Sequence, residues 1–467
     1  MVPSIMVQSQ NKFCGNITTS NECDKTLTVK TEPSSPTKRK TGFHDLCLPH
    51  EILHAIDDLD FQYCTPIQEA ILSQAIEGVD AACQSQTGTG KSAAFLISIL
   101  TRLYRQEEPG RRQPGSPRAL ILAPTRELVC QIEEDAHDLA KHTSLIISSA
   151  FGGIAYQEQR KQFTSNKVDI LVATPGRLLD FIKKKIVRLN KVQTLVIDEA
   201  DRMLDMGFIP DIRSIVYKTP PKERRQTLFF SATMTPAVIK LSEQWTRNPV
   251  RVDIHSDQIT ADSLEQIVYM TTIREKFKLV YNLITQKQFT RGIIFCNRKD
   301  ETKRLQKKLK QFGLQCAMLS GDVPQHKRMR QLKDFRSGKY QLLVATDVAG
   351  RGIHVDGISH VVNYNLPMEP ENYVHRIGRT ARAGASGISV SFADEREAFY
   401  LLDIEDYIGC KLTCVNPEEE LLKPLPSITK SSALHSKSMA GNQSPHRGRN
   451  RKCHLDPKKQ ELIVGYC

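Results

Sequence analysis

The chain has 467 residues, of which 40% are hydrophobic, with a formal net charge of +13 and 12 cysteines. No apolar run has the length of a membrane span, and the first residues lack the basic, apolar, small-residue order of a secretory signal. The cysteines are scattered singly, which argues against a disulfide framework, so the expectation is a soluble, cytoplasmic protein with reduced thiols and no membrane partner.

Residues 1–42 are rich in Ser, Thr, Asn and Lys and poor in large apolar residues, so they read as a disordered extension. From residue 43 to about 250, short apolar runs alternate with helical patterns. Ala119–Leu122, Asp169–Val172 and Thr194–Ile197 read as buried strands, and Arg126–Lys141 reads as a helix. The polar stretch 251–263 reads as a linker. A second alternation fills 264–416, with strands expected at Gly292–Phe295, Gln315–Leu319, Gln341–Val344 and His360–Asn363, and helices at Lys299–Phe312 and Gln325–Arg336. Beyond 416 the chain becomes rich in Pro, Ser and basic residues. Residues 423–467 hold nine Lys/Arg against two Asp/Glu, and a basic tail on a nearly neutral core suits a polyanionic partner. The fold class expected is α/β: two tandem domains, each a parallel sheet with helices on both faces, between two disordered tails. A cleft between such halves is a common ligand site.

Two motifs carry chemistry. Ser85-Gln86-Thr87-Gly88-Thr89-Gly90-Lys91-Ser92 follows an apolar run and opens a helical pattern, the context of a phosphate loop. Gly88 and Gly90 let backbone N–H groups approach phosphate oxygens, Lys91 brings a cation to the β- and γ-phosphates, and the Ser92 hydroxyl suits Mg²⁺. Ser85 stands where the general pattern has a first glycine. Asp198-Glu199-Ala200-Asp201 follows the Leu195–Ile197 run, at the strand end where parallel sheets bind ligands. Asp198 would hold Mg²⁺ through water, and Glu199 would orient or deprotonate the attacking water. In the second half, His375–Arg382 is densely cationic. Arg379 and Arg382 lie three residues apart, so a helix would project both from one face, as arginine fingers reaching across the cleft.

With these residues the chain resembles the DEAD-box RNA helicases of superfamily 2, from about residue 43 to 416. Phe61, Thr65 and Gln68 match the Q motif, which in the family reads adenine. Ser85–Ser92 matches motif I, with Gln86, Thr87, Gly88, Thr89, Gly90, Lys91 and Ser92 as implied ATP contacts. Pro124–Leu128 matches motif Ia, Gly152-Gly153 the GG motif, Thr174–Arg177 motif Ib, Asp198–Asp201 motif II and Ser231-Ala232-Thr233 motif III. Ile293–Asn297 resembles motif IV, Gln325 with Arg328 the QxxR motif, Ala345–Gly352 motif V and His375–Arg382 motif VI.

The resemblance implies two RecA-like domains with ATP between them and RNA across both. It implies ATP and Mg²⁺ as cofactors. Lys91, Asp198, Glu199, Arg379 and Arg382 become catalytic, and Ser92 and Asp198 the Mg²⁺ residues. RNA-backbone contacts fall on Arg126, Gly153, Thr174, Arg177, Arg298, Arg328 and Thr346, and coupling on Ser231, Thr233 and His375. Backbone contacts of this kind bind without reading bases. Within the family the chain is most similar to the bacterial RhlB type, which implies a role in RNA degradation or turnover beside RNase E or another ribonuclease assembly. The alternative from the binding class is an ATP-gated RNA clamp that recruits a ribonuclease and unwinds little. Asp60, Ser85, Ser92, His354 and Ala381 depart from the family pattern, and Asp60 and Ala381 stand where glycine is usual.

Overall fold

The computed structural model describes residues 28–30 and 40–427, apart from 86–87, 107–112, 255–263, 287–288, 348–354, 356 and 382–385. Gln86, Thr87, His354 and Arg382 therefore lie outside the described residues, as do most of both expected tails.

Two sheets are built, and every pairing in both is parallel. The first contains β1 (Thr28–Lys30), β2 (Ala81–Gln84), β3 (Ala119–Leu122), β4 (Ile147–Ala150), β5 (Ile170–Ala173), β6 (Thr194–Ile197), β7 (Gln226–Ser231) and β8 (Val250–Asp253), in the order β1-β8-β2-β7-β6-β3-β5-β4. The second contains β9 (Leu264–Met270), β10 (Gly292–Cys296), β11 (Cys316–Leu319), β12 (Leu342–Thr346), β13 (His360–Asn363), β14 (Gly387–Ala393) and β15 (Thr413–Val415), in the order β11-β12-β10-β13-β14-β9-β15.

Why the strands are apolar without alternation is visible in their packing. Ile121, Val172, Val196 and Phe230 enter one core of the first sheet, while Leu120, Leu171, Ile197 and Phe229 enter the core on the opposite face. The second sheet divides in the same way, with Ile294 and Val344 on one side and Ile293 and Leu343 on the other. Helices cover both faces, so both side-chain directions of each strand must be apolar. These are two RecA-like domains in tandem.

Three element boundaries differ from those the sequence suggests. β1 lies within the expected N-terminal extension and pairs in parallel with β8, Val29 opposite Val252. β8 carries Arg251–Asp253, three residues of the expected linker, with side chains alternating between buried and half-buried. At the C-terminal end, Leu421 is fully buried, and Asn282 Nδ2 donates to the carbonyls of Leu421 (2.8 Å) and Lys423 (3.0 Å). Packing therefore continues past residue 416, because one apolar side chain and two carbonyls find partners on the helix Lys276–Gln286.

The parallel arrangement gathers the motifs at the C-terminal ends of the strands. Ser85 follows β2, Asp198 follows β6, Ser231 ends β7, Thr174 follows β5 and Gly152 lies just past β4. In the second sheet Asn297 follows β10 and Thr346 ends β12. Among the described residues, no helix is long and apolar enough to cross a membrane.

Candidate active site

The phosphate loop is shaped by glycine and by its own hydroxyls. Gly88 (φ +88°) and Gly90 (φ +89°) adopt left-handed conformations, and the helix Lys91–Arg105 starts directly after Gly90. The Ser85 and Thr89 hydroxyls share a hydrogen bond of 2.6 Å. Ser85 N–H donates to the Ser231 carbonyl at 2.9 Å, and the Ser85 carbonyl accepts from Lys91 Nζ at 2.8 Å. Ser85 thus ties the loop to itself, to Lys91 and to Ser231.

The Q-motif residues reach the same loop. Thr65 and Gln68 begin the helix Pro66–Ile76, where Thr65 N–H donates to Gln68 Oε1 at 2.8 Å, as expected of a capped helix start with Pro66 at its first position. Gln68 Nε2 donates to the Gly90 carbonyl at 3.1 Å. A Cβ on Gly90 would lie 2.6 Å from Gln68 Nε2 and 3.0 Å from Thr65 Oγ1. Phe61 is 39% exposed, its ring stacked beside Phe43 with centroids 6.4 Å apart. Asp60, just before it, has φ +56°, so the aspartate adopts the left-handed backbone for which glycine is usual.

Motif II is buried. Burial pushes the Asp198 carboxyl up to about 6, against the opposing pull of Lys91, and Glu199 adds to the rise. Asp198 offers a buried carboxylate beside Lys91, and carboxylate and hydroxyl oxygens such as those of Asp198 and Ser92 are the hard donors that suit Mg²⁺ beside phosphates. Glu199 has φ +52°, and its carboxylate accepts from Arg202 Nη1 at 3.0 Å, with both side chains buried. Arg202 was not anticipated, although its place directly after Asp201 offered a signal.

Asp201 carries the link to motif III. Its Oδ2 accepts from Ala232 N (3.0 Å), Thr233 N (2.9 Å) and Thr233 Oγ1 (3.2 Å). Ser231 Oγ accepts from Asp201 N at 3.2 Å and donates to the Thr233 carbonyl at 2.7 Å. Ala232 and Thr233 then line a crevice whose opposite wall includes Glu371, His375 and Tyr407 of the second domain. Of the three residues expected to couple ATP and RNA binding, Thr233 and His375 line this crevice together, and Ser231 is bonded to Thr233. Asp201 was read only as the last letter of motif II, yet it organises this contact.

Motif VI departs from the helical expectation. The helix Pro370–Ile377 stops before Arg379, which is 2% exposed and donates through Nε to the His375 carbonyl at 3.1 Å. The chain turns at Gly378 and again at Ala381, where φ is +53°. Arg376 serves structure. Its guanidinium grips Asp347 with two 2.6 Å bonds and also donates to Asn297 Oδ1 (2.7 Å) and the Asn365 carbonyl (2.7 Å). It thus fixes motifs IV and V to one another.

The expected RNA-binding residues divide into two groups. Arg126 and Arg328 lie where the domains meet. Arg126 Nη1 donates to Gln325 Oε1 at 3.4 Å, while Glu127 Oε1 accepts from Gln325 Nε2 (3.0 Å) and Arg328 Nη2 (2.9 Å). Arg336 adds bonds to Glu134 and Gln131, both at 3.3 Å. Gly153 (φ +85°) sits against this joint, since a Cβ there would meet Arg126 Nη1 at 2.2 Å. The remaining four lie at strand ends or helix starts. Thr174 precedes the helix Pro175–Lys183, and Arg177 donates to Gln159 Oε1 at 2.9 Å. Arg298 is exposed at the start of Lys299–Gln311, and Thr346 is buried at the end of β12.

Over residues 65–241 the chain matches the DEAD/DEAH box helicase family, and over 275–384 the helicase conserved C-terminal domain. It is 54% identical over 391 residues to the ATP-dependent RNA helicase RhlB of Pseudomonas putida, covering 84% of this chain and 98% of the relative. The RhlB helicase of Xanthomonas axonopodis pv. citri is 43% identical over 385 residues, covering 82% and 67%. Among solved structures, S. cerevisiae Dbp5 bound to RNA and ADP BeF3 superposes with a TM-score of 0.71 at 31% identity, covering 82% of this chain and all of that one. Mss116p bound to ssRNA and AMP-PNP superposes with a TM-score of 0.74 at 27% identity, covering 85% and 83%.

Proposed function

The chain belongs to the DEAD-box ATP-dependent RNA helicases, and from that premise we propose that it uses ATP hydrolysis between its two domains to open short RNA duplexes during RNA turnover. The observation that carries the coupling is the path from Asp201 through Ser231 and Thr233 to the crevice shared with His375.

In this reading Gln68, Thr65 and Phe61 hold the adenine end of ATP, and the loop from Ser85 to Ser92 holds its phosphates. Lys91 turns from the Ser85 carbonyl to the β- and γ-phosphates. Ser92 and, through water, Asp198 would hold Mg²⁺, which would supply charge neutralisation at the phosphates. Glu199 orients the attacking water. To do so, its carboxylate shares itself between that water and Arg202. Arg379, with Arg382, supplies positive charge from the second domain to the transferring phosphate, so hydrolysis waits on domain closure.

RNA lies along the strand ends on the side of Arg126, Gly153, Thr174, Arg177, Arg298, Arg328 and Thr346, held by its backbone and without base readout. The family reading extends to a cytoplasmic protein that works beside RNase E or a similar ribonuclease assembly.

A strand-displacement assay on a short RNA duplex tests the proposal. ATP-dependent release of the shorter strand is expected. RNA binding gated by ATP without release would replace the helicase reading by that of a clamp.

A further inference from the structure

We propose that a basic pocket on the first domain, lined by Arg160, Lys184, Lys185 and Arg188, takes the phosphates of single-stranded RNA running beyond the motif Ib contact. This rests on the RNA-helicase reading and extends its substrate footprint.

The pocket is open and has a volume of about 350 Å³. Its cations come from three places: Arg160 from the helix Tyr156–Ser165, Lys184 and Lys185 from just past the end of Pro175–Lys183, and Arg188 from the irregular stretch that follows. Among the described residues, no carboxylate lines it. Arg188 Nη1 donates to the neutral Gln113 Oε1 at 2.6 Å, which fixes the guanidinium without cancelling its charge. Lys184 has Asp180 as an exposed partner at 3.0 Å, a pair that solvent screens.

Composition concentrates charge here. Residues 156–191 hold nine Lys/Arg and three Asp/Glu. One of those three, Asp169, is buried against Arg118 at 3.1 Å and does not face the pocket cations. Lysines at a helix end offset the helix dipole, which would account for Lys183 and Lys184. It does not account for Arg160 or Arg188, which come from other segments and converge on the same space.

The pocket is also continuous with motif Ib. Arg177 and Lys184 both lie over the ring of Tyr156, the guanidinium at 5.5 Å and the ammonium at 4.5 Å from its centroid. One aromatic side chain thus separates the motif Ib cation from the first cation of the pocket. A strand leaving Arg177 across this ring meets Lys184, which lines the pocket together with Lys185, Arg160 and Arg188. Lys185 has φ +58°, a conformation that glycine adopts at lower cost, so the lysine at this turn is held at some local expense.

The experiment uses the full chain and a triple variant, Arg160→Gln, Lys185→Gln and Arg188→Gln, all at exposed positions. Affinity is measured over a range of salt for one oligonucleotide of about 6 nucleotides and one of about 20, which bracket a core footprint and an extended one. For the long RNA, the variant is expected to bind about tenfold more weakly, with a log–log salt slope shallower by about 2, since each single-strand phosphate contact contributes about 0.7. For the short RNA, affinity and stimulated ATP turnover stay at the wild-type level. Equal losses for both lengths, or an unchanged slope for the long RNA, overturn the pocket. Wild-type protein that binds neither RNA overturns the RNA reading itself, a failure seen without reference to the variant.

Discussion

Gln68 Nε2 donates to the carbonyl of Gly90 at 3.1 Å, so the residue proposed to face the base also braces the loop proposed to hold the phosphates. Gln68→Glu keeps the acceptor for Thr65 N–H but removes this donor and sets a carboxylate against a carbonyl. The loss is expected to be about 1–3 kcal/mol, or roughly 5- to 150-fold in nucleotide affinity. Inorganic tripolyphosphate, which has no base, should weaken as well. A variant that loses ATP affinity while binding tripolyphosphate normally would show that Gln68 acts on adenine alone.

Asp201 is predicted to matter more for coupling than for hydrolysis. Both carboxylate oxygens accept backbone N–H groups, Oδ2 from Ala232 and Thr233 and Oδ1 from Arg202. Asp201→Asn must turn an amide N–H₂ toward one of these donors, at a cost of about 1–3 kcal/mol. Strand separation per ATP consumed should fall several-fold. Unwinding and ATP turnover that fall in step would argue against a coupling role.

The joint between the domains can be tested through Glu127, whose Oε1 receives both Gln325 and Arg328. Arg328 is only 12% exposed in its side chain, and Glu127→Leu leaves it nearly buried without this partner. Breaking such a pair costs about 3–5 kcal/mol in favourable cases. The domains should separate more readily, raising the radius of gyration measured by small-angle scattering. An unchanged scattering profile would mean that the remaining contacts, such as Arg336 with Glu134, suffice.

Asp60 and Ala381 separate two meanings of a replaced glycine. Both have positive φ, +56° and +53°. Asp tolerates this region through local hydrogen bonding, whereas Ala pays about 1–2 kcal/mol for its Cβ. Ala381→Gly should therefore raise the thermal midpoint, while Asp60→Gly should leave it nearly unchanged. A lower midpoint for Ala381→Gly would show that packing of the Ala381 methyl outweighs the backbone strain.

The sequence was informative where chemistry and burial coincide. Leu120, Leu171 and Leu195 lie in uniformly apolar runs because both faces of their sheet are covered, and the strands around them were readable for that reason. β4 was not, since Ser148 and Ser149 interrupt its apolar pattern although both are buried. The phosphate loop was readable from its glycine and lysine spacing, whereas the remaining motif residues were found through their resemblance to the family. What could not be read is which side chain each one touches. Arg376 and Arg379 look alike in a cationic run, yet one clasps Asp347 and the other donates to the His375 carbonyl. Likewise, nothing local distinguishes Glu127 from any other first-turn glutamate, because its partners lie about 200 residues away.

Hydrolysis at Lys91, Asp198 and Glu199 is proposed to be completed by RNA-promoted closure of the second domain. The most direct measurement is steady-state ATP turnover by the purified chain with and without single-stranded RNA, alongside Glu199→Gln. Slow turnover alone is expected, with a rise of at least about tenfold with RNA, and a Glu199→Gln protein that binds ATP and RNA but turns over at least about a hundredfold more slowly, on the scale of a lost catalytic base. Equal turnover with and without RNA, or undiminished turnover in Glu199→Gln, would contradict it.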